Sequence, residues 1–275
     1  MKKILNLFLI LVLVLSSVLS FTGCSGKMVY ELNEDSTGYI AKVSGKVSGD
    51  VVIPNYYEGK PVVKISEGCF NGCKGMKSIT IPDTVKSISA DAFVDCKSLQ
   101  KVYYEGIISQ WAIIEFENVS ANPLWTSSSE DHHVELYVKN EMVTETKIAT
   151  QYISDYAFAG YRHLRKIDIE LAEEIGVQAF SNCTGLLEVT FDNSLKLIKE
   201  HAFRLCGNIK DITITKNVYK IEPFAFTFCD ALENAIFVDN KGWAQEGYEI
   251  YSSTLSDTGT AAEILKEGKI LINGD

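Results

Sequence analysis

One short segment recurs along this chain, and its recurrence limits the folds that the chain can adopt. Each copy has an Ala-Phe pair or a close variant, then a cysteine slot three residues after the Phe, then an apolar alternation. The six copies are GCFNGCKGMKSITI at 68–81, DAFVDCKSLQKVYY at 91–104, YAFAGYRHLRKIDI at 156–169, QAFSNCTGLLEVTF at 178–191, HAFRLCGNIKDITI at 201–214 and FAFTFCDALENAIF at 224–237. Their phenylalanines are separated by 23, 65, 22, 23 and 23 residues. A period of about 23 residues with one interruption predicts an array of stacked structural units.

Each unit contains a predicted strand and two buried columns. The L-x-x-I-x-I segment ends in a β-branched alternation, which predicts a short strand with one buried face. A small Ala beside a large Phe suits a tight corner of the backbone. A second buried column is predicted at the isoleucines four residues before that Ala slot: Ile65, Ile88, Ile153, Ile175, Ile198 and Ile221. Since such a unit buries its apolar face only against its neighbours, the sequence predicts a solenoid.

The consensus I-x-x-x-A-F-x-x-C-x-x-L-x-x-I-x-I resembles the BspA-like, or Treponema-type, class of bacterial leucine-rich repeats. The segments VVIPNYYEGKPVVKIS at 51–66 and GWAQEGYEIYSSTLSDTGTAAEILK at 242–266 resemble the usual flanking units of that family. The resemblance covers residues 28–266. It implies a β-rich leucine-rich-repeat solenoid with short strands on one face and turns or short helical turns on the other. It also implies a surface location and an adhesin-like role.

The domain organisation follows from the spacing of the repeats. We predict a signal peptide at 1–23, a lipid-anchored tether at 24–30, an N-terminal capping unit at 31–66, repeats at 67–105, an insert at 106–147, repeats at 148–238 and a C-terminal capping segment at 239–275. The insert occupies the 65-residue gap between Phe93 and Phe158. Within it, ELYVKNEMVTE predicts two strands around a turn at Lys139 and Asn140 that keep the sheet continuous.

The N-terminus has the pattern of an export signal. Lys2 and Lys3 precede the apolar run ILNLFLILVLVLSSVLS, which ends at FTGC. A Cys directly after a small residue at this place resembles a bacterial lipoprotein cleavage site, with Cys24 as the lipid-carrying residue and the protein anchored at the cell surface. Two alternatives are an ordinary cleaved signal peptide and an uncleaved helix that spans a membrane.

Seven cysteines in an exported chain would ordinarily suggest disulfides. Cys24 is the proposed anchor, and five others occupy one slot of the repeat: Cys73, Cys96, Cys183, Cys206 and Cys229. Stacked units place such residues about 4.8 Å apart, but their parallel side-chain vectors make the disulfide dihedral hard to reach. We therefore predict a column of buried thiols that act as small hydrophobes. Cys69 and Cys73, which belong to one unit, are the pair for which this prediction is weakest.

Charge and motifs exclude several classes of function. The formal charge is −10, and removal of residues 1–23 takes away two lysines and no acids, which leaves −12. An acidic surface argues against a nucleic-acid partner. The chain has no nucleophile elbow, phosphate-binding glycine loop or H-E-x-x-H motif, so we predict no enzyme and no cofactor. His132 and His133 lie among acidic residues, but neighbouring strand residues point to opposite faces, which disfavours a shared metal ion.

Binding residues are predicted on the outward positions of the strands, because the inward positions are occupied by packing. A merely solvated sheet face is the alternative for each of them. Trp111, Trp125 and Tyr137 of the insert could form an aromatic contact patch or the insert's own small core. The candidate ligand-binding residues on the strands are Lys77, Thr80, Lys101, Tyr103, Arg165, Asp168, Glu188, Thr190, Lys210 and Thr213; Ser78, Gln100, Lys166 and Asp211 are expected to be exposed beside them.

Three functional hypotheses remain from the sequence. The first is a lipid-anchored surface module that binds an extracellular protein, a cell or a polysaccharide. The second is an envelope scaffold that binds another envelope protein. The third is an enzyme or metal protein centred on the insert, which the absence of a convergent polar cluster in the sequence disfavours.

Overall fold

The chain forms a solenoid whose coils each have three sides. The computed structural model describes residues 26–125 and 133–274. We call the side with the longer strands the strand face, the side with mostly two-residue strands the short-strand face, and the side with the Ala-Phe turns the turn edge. The predicted leucine-rich-repeat solenoid of about 23 residues per coil is confirmed.

The strands in chain order are β1 (Lys27–Leu32), β2 (Tyr39–Ser44), β3 (Ser48–Val52), β4 (Tyr56–Tyr57), β5 (Lys60–Ile65), β6 (Gly75–Ile81), β7 (Ser87–Ile88), β8 (Lys101–Tyr104), β9 (Glu115–Phe116), β10 (Glu135–Val138), β11 (Glu141–Met142), β12 (Glu145–Ala149), β13 (Tyr152–Ile153), β14 (Lys166–Glu170), β15 (Glu174–Ile175), β16 (Glu188–Phe191), β17 (Leu197–Ile198), β18 (Asp211–Ile214), β19 (Lys220–Ile221), β20 (Asn234–Phe237), β21 (Trp243–Gln245), β22 (Tyr248–Glu249) and β23 (Leu271–Asn273). The helices are α1 (Ile108–Trp111), α2 (Ser252–Ser256) and α3 (Thr258–Lys266), and 3-10 turns lie at Val119–Ala121 and Pro123–Trp125.

The strand face consists of three sheets in chain order. The first has the strand order β3-β6-β8-β10-β11, the second β12-β14-β16 and the third β18-β20. Apart from the β10-β11 hairpin, the strands pair in parallel. Buried Ile79, Val102 and Leu136 are aligned across β6, β8 and β10. The outward residues of neighbouring coils are therefore also side by side.

The short-strand face carries the predicted isoleucine column. All six isoleucines are buried, and each ends a strand: Ile65, Ile88, Ile153, Ile175, Ile198 and Ile221. Their strands form a second parallel ladder, which runs β5-β7-β9 and resumes as β13-β15-β17-β19. The sequence indicated the burial of this column but not its strand pairing, because two-residue strands show no alternation.

Backbone hydrogen bonds also join the coils along the turn edge. The amide of Phe180 donates to the carbonyl of Ala202 at 2.8 Å, and the amide of Phe203 donates to that of Ala225 at 2.8 Å. The turn needs two residues at positive φ, one before the Ala slot and one two residues after the Phe. These pairs are Gly68 and Gly72, Asp91 and Asp95, Tyr156 and Gly160, Gln178 and Asn182, His201 and Leu205, and Phe224 and Phe228. Gly, Asn and Asp adopt this conformation most easily, so the bulky residues there are strained.

Two columns of side chains fill the core beneath the turn edge. The rings of Phe180 and Phe203 stack at 5.1 Å with 5° between their planes, and the other repeat phenylalanines stack at similar distances where their coils are adjacent. The thiol of Cys206 donates to the carbonyl of Phe180, one coil earlier, at 3.1 Å. Equivalent bonds of 3.1–3.2 Å are made by Cys96, Cys183 and Cys229. A cysteine fits this slot because it is small and still donates a hydrogen bond.

The prediction of buried thiols is confirmed for the described cysteines. Six cysteines of the described part of the chain are buried, and none forms a disulfide. Burial raises the pKa of Cys69, Cys96 and Cys229 to about 12. A thiol with so high a pKa is almost wholly protonated at neutral pH and is a poor nucleophile. Cys24 lies outside the described residues.

The predicted insert contains a further coil of the solenoid. Strand β9 continues the short-strand face beside β7, and β10 pairs in parallel with β8. Between them, the first 3-10 turn takes the place of an Ala-Phe turn, where the amide of Phe93 donates to the carbonyl of Ser120. The predicted hairpin is present, with φ of 52° at Lys139 and 65° at Asn140. Part of residues 106–147 therefore forms a coil of the solenoid, because a coil can close without the Ala-Phe motif.

Both ladders stop at the same level of the solenoid, after this extra coil. The first sheet of the strand face ends at β11 and the next begins at β12, while the short-strand ladder ends at β9 and resumes at β13. The predicted continuity of the sheet therefore holds only as far as β11. The hairpin turns the chain back along the edge of β10, and this occupies the position where the next parallel strand would pair.

Several side chains bridge the break through hydrogen bonds, among them those of Trp111, Asn122 and Tyr161. The indole Nε1 of Trp111 donates to the carbonyl of Ala157 at 2.8 Å, and Nδ2 of Asn122 donates to the same carbonyl at 3.2 Å. The hydroxyl of Tyr161 donates to the carbonyl of Val143 at 2.6 Å. Tyr161 takes the cysteine slot of its coil, and its longer side chain reaches across the break to a carbonyl beside the hairpin.

The ends of the solenoid have their own caps. Strand β1 pairs with β2 in antiparallel fashion from Lys27, so residues 27–30 belong to the fold and not to the predicted tether. At the other end, α3 packs on β20, and the Asp257 side chain caps that helix by accepting from the amide of Thr260 at 2.8 Å. Among residues 26–125 and 133–274, no helix has the length and apolar character needed to cross a bilayer.

We predict that the six described thiols resist modification in the folded protein. Without any reductant, a thiol reagent at pH 7.5 should leave them unmodified in buffer and should modify all six in guanidinium chloride, because denaturation exposes the buried thiols. The measurement is thiol counting by mass spectrometry. A denatured count below six for these positions would contradict the unpaired column.

We predict that Tyr161→Phe lowers the free energy of unfolding by about 1–2 kcal/mol, because it removes the buried hydrogen bond to Val143. Tyr104→Phe is the matched control: the Tyr104 hydroxyl is buried and has no hydrogen-bond partner among the described residues, so its removal should be neutral or slightly stabilising. Urea denaturation of both variants measures the difference. Equal effects would show that the Tyr161 hydroxyl does not hold the break together.

Candidate functional site

All ten predicted site residues lie on the strand face or directly beside it, but the structure divides them among its three sheets. The first sheet holds Lys77, Thr80, Lys101 and Tyr103; the second holds Arg165, Asp168, Glu188 and Thr190; the third holds Lys210 and Thr213. The three groups are built on the same scaffold, so their side chains can be compared position by position.

The residues of the second sheet mostly bind one another. The hydroxyl of Thr190 donates to Asp168 at 2.6 Å, and Lys166 forms an ion pair with Glu188 at 2.7 Å. The two residues of each pair are register partners on β14 and β16, and cross-strand pairs of this kind stabilise a sheet. The hydrogen bond to Glu188 raises the pKa of Lys166. These polar groups are therefore largely used within the sheet.

The remaining predicted positions do not converge on a site. Arg165 precedes β14, and its Nη1 donates to the carbonyl of Gly185 at 3.1 Å. Lys210 and Thr213 are exposed at β18, which belongs to a sheet of only two strands. Neither of them forms a side-chain hydrogen bond with another described residue. The alternative of a solvated sheet face fits these two.

The four residues of the first sheet line one shallow depression of about 480 Å³. Its floor lies over β6, where the outward side chains of Ser78 and Thr80 are short. The side chains of Lys101 and Tyr103 on β8 and of Asp50 on β3 border this floor. The complete lining is Asp50, Lys77, Ser78, Thr80, Gln100, Lys101 and Tyr103. The candidate site is this depression, which we call the β6 depression.

The β6 depression contains two lysines without a carboxylate partner. Among the described residues, neither Lys77 nor Lys101 forms an ion pair. Asp50 instead accepts a hydrogen bond from the hydroxyl of Ser78 at 2.6 Å. Ser78 is only 8% exposed, so our expectation that it lies open to solvent was wrong: Asp50 covers it.

A pair of tyrosines borders the β6 depression. Tyr103 on β8 and Tyr137 on β10 are register partners, and their rings lie 5.1 Å apart at an angle of 30°. The ammonium group of Lys101 lies 5.6 Å from the centre of the Tyr137 ring. The hydroxyl of Tyr137 donates to Glu135 at 2.8 Å. The rim of the site therefore combines aromatic rings with both signs of charge.

Sequence reasoning missed three residues of this region. Asp50 lies in the opening unit, which lacks the Ala-Phe motif and has a register shift between Gly49 and Asp50. Glu135 was not named as a strand-face residue, and Tyr137 was considered only as part of the insert. Alignment of ELYV at 135–138 with KVYY at 101–104 would have found both, because these strands pair in that register.

The insert aromatics do not form one patch. Trp111 is fully buried and packs edge-on against Tyr104 at 5.5 Å, so it belongs to the core. Trp125 is half-buried and lies against Gly160 of the turn edge. Only Tyr137 faces outward on the strand face. The alternative of a core role is therefore correct for Trp111, and the hypothesis of a joint aromatic patch is wrong.

The histidines of the described residues do not assemble a metal centre. His133 is exposed, and its ring centre lies 6.0 Å from that of His163, whose pKa burial lowers. Within residues 26–125 and 133–274, no three His, Cys, Asp or Glu side chains are grouped so as to hold a metal ion. His132 lies outside the described residues.

The fold and the repeat geometry define a leucine-rich-repeat protein, a class whose solenoids typically bind partners without catalysis. This chain belongs to the BspA-type leucine-rich repeat family: six copies of the family repeat match residues 51–130 and 144–258. The two matched ranges flank the hairpin and the break. A search of curated proteins found no match.

Several solved structures are similar to this chain. A leucine-rich cell surface protein from Faecalibacterium prausnitzii is 23% identical over 78% of this chain and 54% of its own, with a TM-score of 0.48. This chain thus spans about half the length of that protein. A leucine-rich repeat protein from Bacteroides ovatus is 17% identical over 78% of this chain and 70% of its own, with a TM-score of 0.35. The leucine-rich repeat protein of T. pallidum is 20% identical over 76% and 68%, with a TM-score of 0.28.

Proposed function

We propose that this chain is a non-catalytic binding module at the cell surface, anchored by a lipid on Cys24, that recognises an extracellular protein or glycan through the first sheet of the strand face. The observation that carries the proposal is a contrast within one molecule. On β14 and β16 of the second sheet, outward polar groups pair across the strands, whereas Lys77 and Lys101 of the first sheet form no ion pair with a described residue and lie near two tyrosines in contact.

The contrast supports binding because unpaired side chains of this kind contribute little to folding. A lysine without a carboxylate partner adds no cross-strand ion pair. Tyrosines are enriched at the centres of protein interfaces, where they supply contact area at low entropic cost. In a solenoid whose inward columns are filled by packing, outward residues are free to take on a binding role.

The proposed anchor fits the position where the fold begins. Strand β1 begins at Lys27, three residues after Cys24. A lipid on Cys24 would therefore hold the first coils, which include the β6 depression, close to the membrane, and a ligand would have to reach that level. A long or loosely organised ligand does so more easily than a large rigid one.

We expect Cys24→Ala to abolish lipid modification and signal cleavage at this site. The variant should migrate as a larger precursor, and an inhibitor of lipoprotein processing should produce the same band from the unchanged chain. Ser25→Ala is the matched control and should be processed normally. Electrophoretic mobility and metabolic labelling with a fatty acid measure both. An unchanged, unlabelled band in all samples would remove the anchor from the proposal.

We expect the first sheet to carry binding in a screen of residues 25–275 against glycans and extracellular matrix proteins. Lys101→Gln with Tyr103→Ala should weaken a saturable interaction at least about tenfold, or about 1.4 kcal/mol. Lys166→Gln with Asp168→Asn is the matched control, because these residues occupy the equivalent positions of the second sheet. Circular dichroism checks folding. If only the control double variant loses binding, the site lies on the second sheet. If both double variants bind as well as the unchanged chain, the proposed strand-face site is rejected.

A further inference from the structure

We propose that the β6 depression binds a carboxylate-bearing sugar of an acidic polysaccharide. This inference rests on the proposed binding function and names the chemical class of its ligand. It is carried by the shape of the depression, the kinds of polar group that line it, the Tyr103 ring beside it and two lysines that form no ion pair with a described residue.

The shape of the depression arises because the outward side chains in the middle of β6 are short. Ser78 and Thr80 of β6 are register partners of Lys101 and Tyr103 on β8. Across the other edge of β6, Asp50 is the partner of Ser78. Ser78 and Thr80 therefore lie below the longer side chains of β8, and Asp50 borders them on the other side. The resulting space of about 480 Å³ is open to solvent, so a chain-like ligand can enter and leave it.

The lining groups suit a ligand with many hydroxyls. Lys77 and Lys101 donate hydrogen bonds, Asp50 accepts them, and Gln100 and Thr80 can do both. Sugar hydroxyls also donate and accept, so each can be satisfied here. A protein hot spot instead needs a desolvated apolar pocket for an anchoring side chain. The β6 depression offers no such pocket, because most of its lining side chains are polar.

Tyr103 supplies the apolar contact that a sugar ring needs. Its ring lies 5.1 Å from that of Tyr137 at an angle of 30°, and Tyr103 lines the depression together with Thr80. A pyranose ring has a face of C–H groups, which packs on an aromatic face while its hydroxyls remain at the edge. The contact with Tyr137 restricts the motion of the Tyr103 side chain, so less conformational freedom is lost on binding.

The unpaired lysines select for an acidic sugar. Lys77 and Lys101 both line the depression, and neither is neutralised by a described carboxylate. The predicted mature chain has a formal charge of −12, so it repels a polyanion at long range. Attraction must therefore come from these local cations at short distance. Binding should weaken as ionic strength rises, because exposed charge pairs are screened by salt.

The second sheet shows what the same scaffold looks like without these features. At the positions equivalent to Lys101 and Tyr103 it has Lys166 and Asp168, which pair with Glu188 and Thr190. It has no aromatic side chain at these two positions, and Lys166 there is paired with Glu188. Variants in the second sheet are therefore matched controls for variants in the first.

The test is isothermal titration calorimetry of residues 25–275 with oligosaccharides of galacturonic acid, hyaluronan, alginate and sialic acid. Each acidic oligomer is compared with its carboxyl-reduced counterpart. We expect saturable binding of at least one acidic oligomer, with at least tenfold weaker binding of the reduced form. Tyr103→Ala and Lys101→Gln should each lower the affinity at least tenfold. Lys166→Gln should leave it unchanged.

A steric variant keeps the test independent of charge and folding effects. Thr80→Phe fills the floor of the depression without removing a charged group, and it should also lower the affinity at least tenfold while the circular dichroism spectrum stays that of the unchanged protein. Equal affinity for acidic and reduced oligomers would overturn the selection for acid. Binding that survives Thr80→Phe, Tyr103→Ala and Lys101→Gln would overturn the site.

The outcome separates this inference from the proposed function. If every acidic oligomer fails to bind, while a protein ligand from the screen is lost in Lys101→Gln with Tyr103→Ala, the ligand class is wrong and the strand-face function stands. If neither oligomers nor any ligand in the screen depend on these residues, both proposals fall. The two experiments use the same protein and share their control in the second sheet.

Discussion

In-register stacking of the coils is the constraint on which the rest of this structure depends. Where the ladders are continuous, backbone amides and carbonyls of a coil pair with those of the next, so a slot in one coil lies directly above the same slot in its neighbour. The Phe180 and Phe203 rings stack at 5.1 Å because this spacing is set by the backbone. A side chain too large for its slot would separate two coils and break hydrogen bonds at three places. The cysteine slot obeys the same rule: Cys206 fits, and it also donates to Phe180.

The break after the extra coil shows what replaces stacking when it fails. Strand pairing ends on both faces at that level, where the amide of Ser154 still donates to the carbonyl of Ala112, and the buried core continues through it. Side chains take over the hydrogen bonds that the ladder no longer makes, with Trp111 and Asn122 on Ala157 and Tyr161 on Val143. The Tyr in a cysteine slot is thus a structural consequence of the hairpin in the coil before it. It explains a departure from the repeat that the sequence alone leaves unexplained.

The register in which the coils stack also determines which outward side chains lie next to each other. Tyr103 and Tyr137 come from different coils, and only the parallel register of β8 and β10 brings their rings together. The same register on β14 and β16 brings Lys166 to Glu188, so that sheet satisfies its own charges. One architecture therefore produces a self-paired surface in one sheet and an open, polar depression bordered by aromatic rings in another. The difference lies in a few outward side chains that have no role in the core.

The sequence by itself determined the fold class, the period, the isoleucine and cysteine columns and the hairpin, because each rests on residues that every coil must repeat in order to stack. It also placed all ten candidate residues on or beside the strand face. Only the tertiary structure decided that the insert contains a coil, that the ladders break beyond it, and that Asp50 covers Ser78 while Lys77 and Lys101 form no ion pair within the described part of the chain. Those features depend on register between segments that share no repeat motif. Periodicity reveals what recurs, whereas pairing between unlike coils is fixed by contacts that form only when the chain is folded.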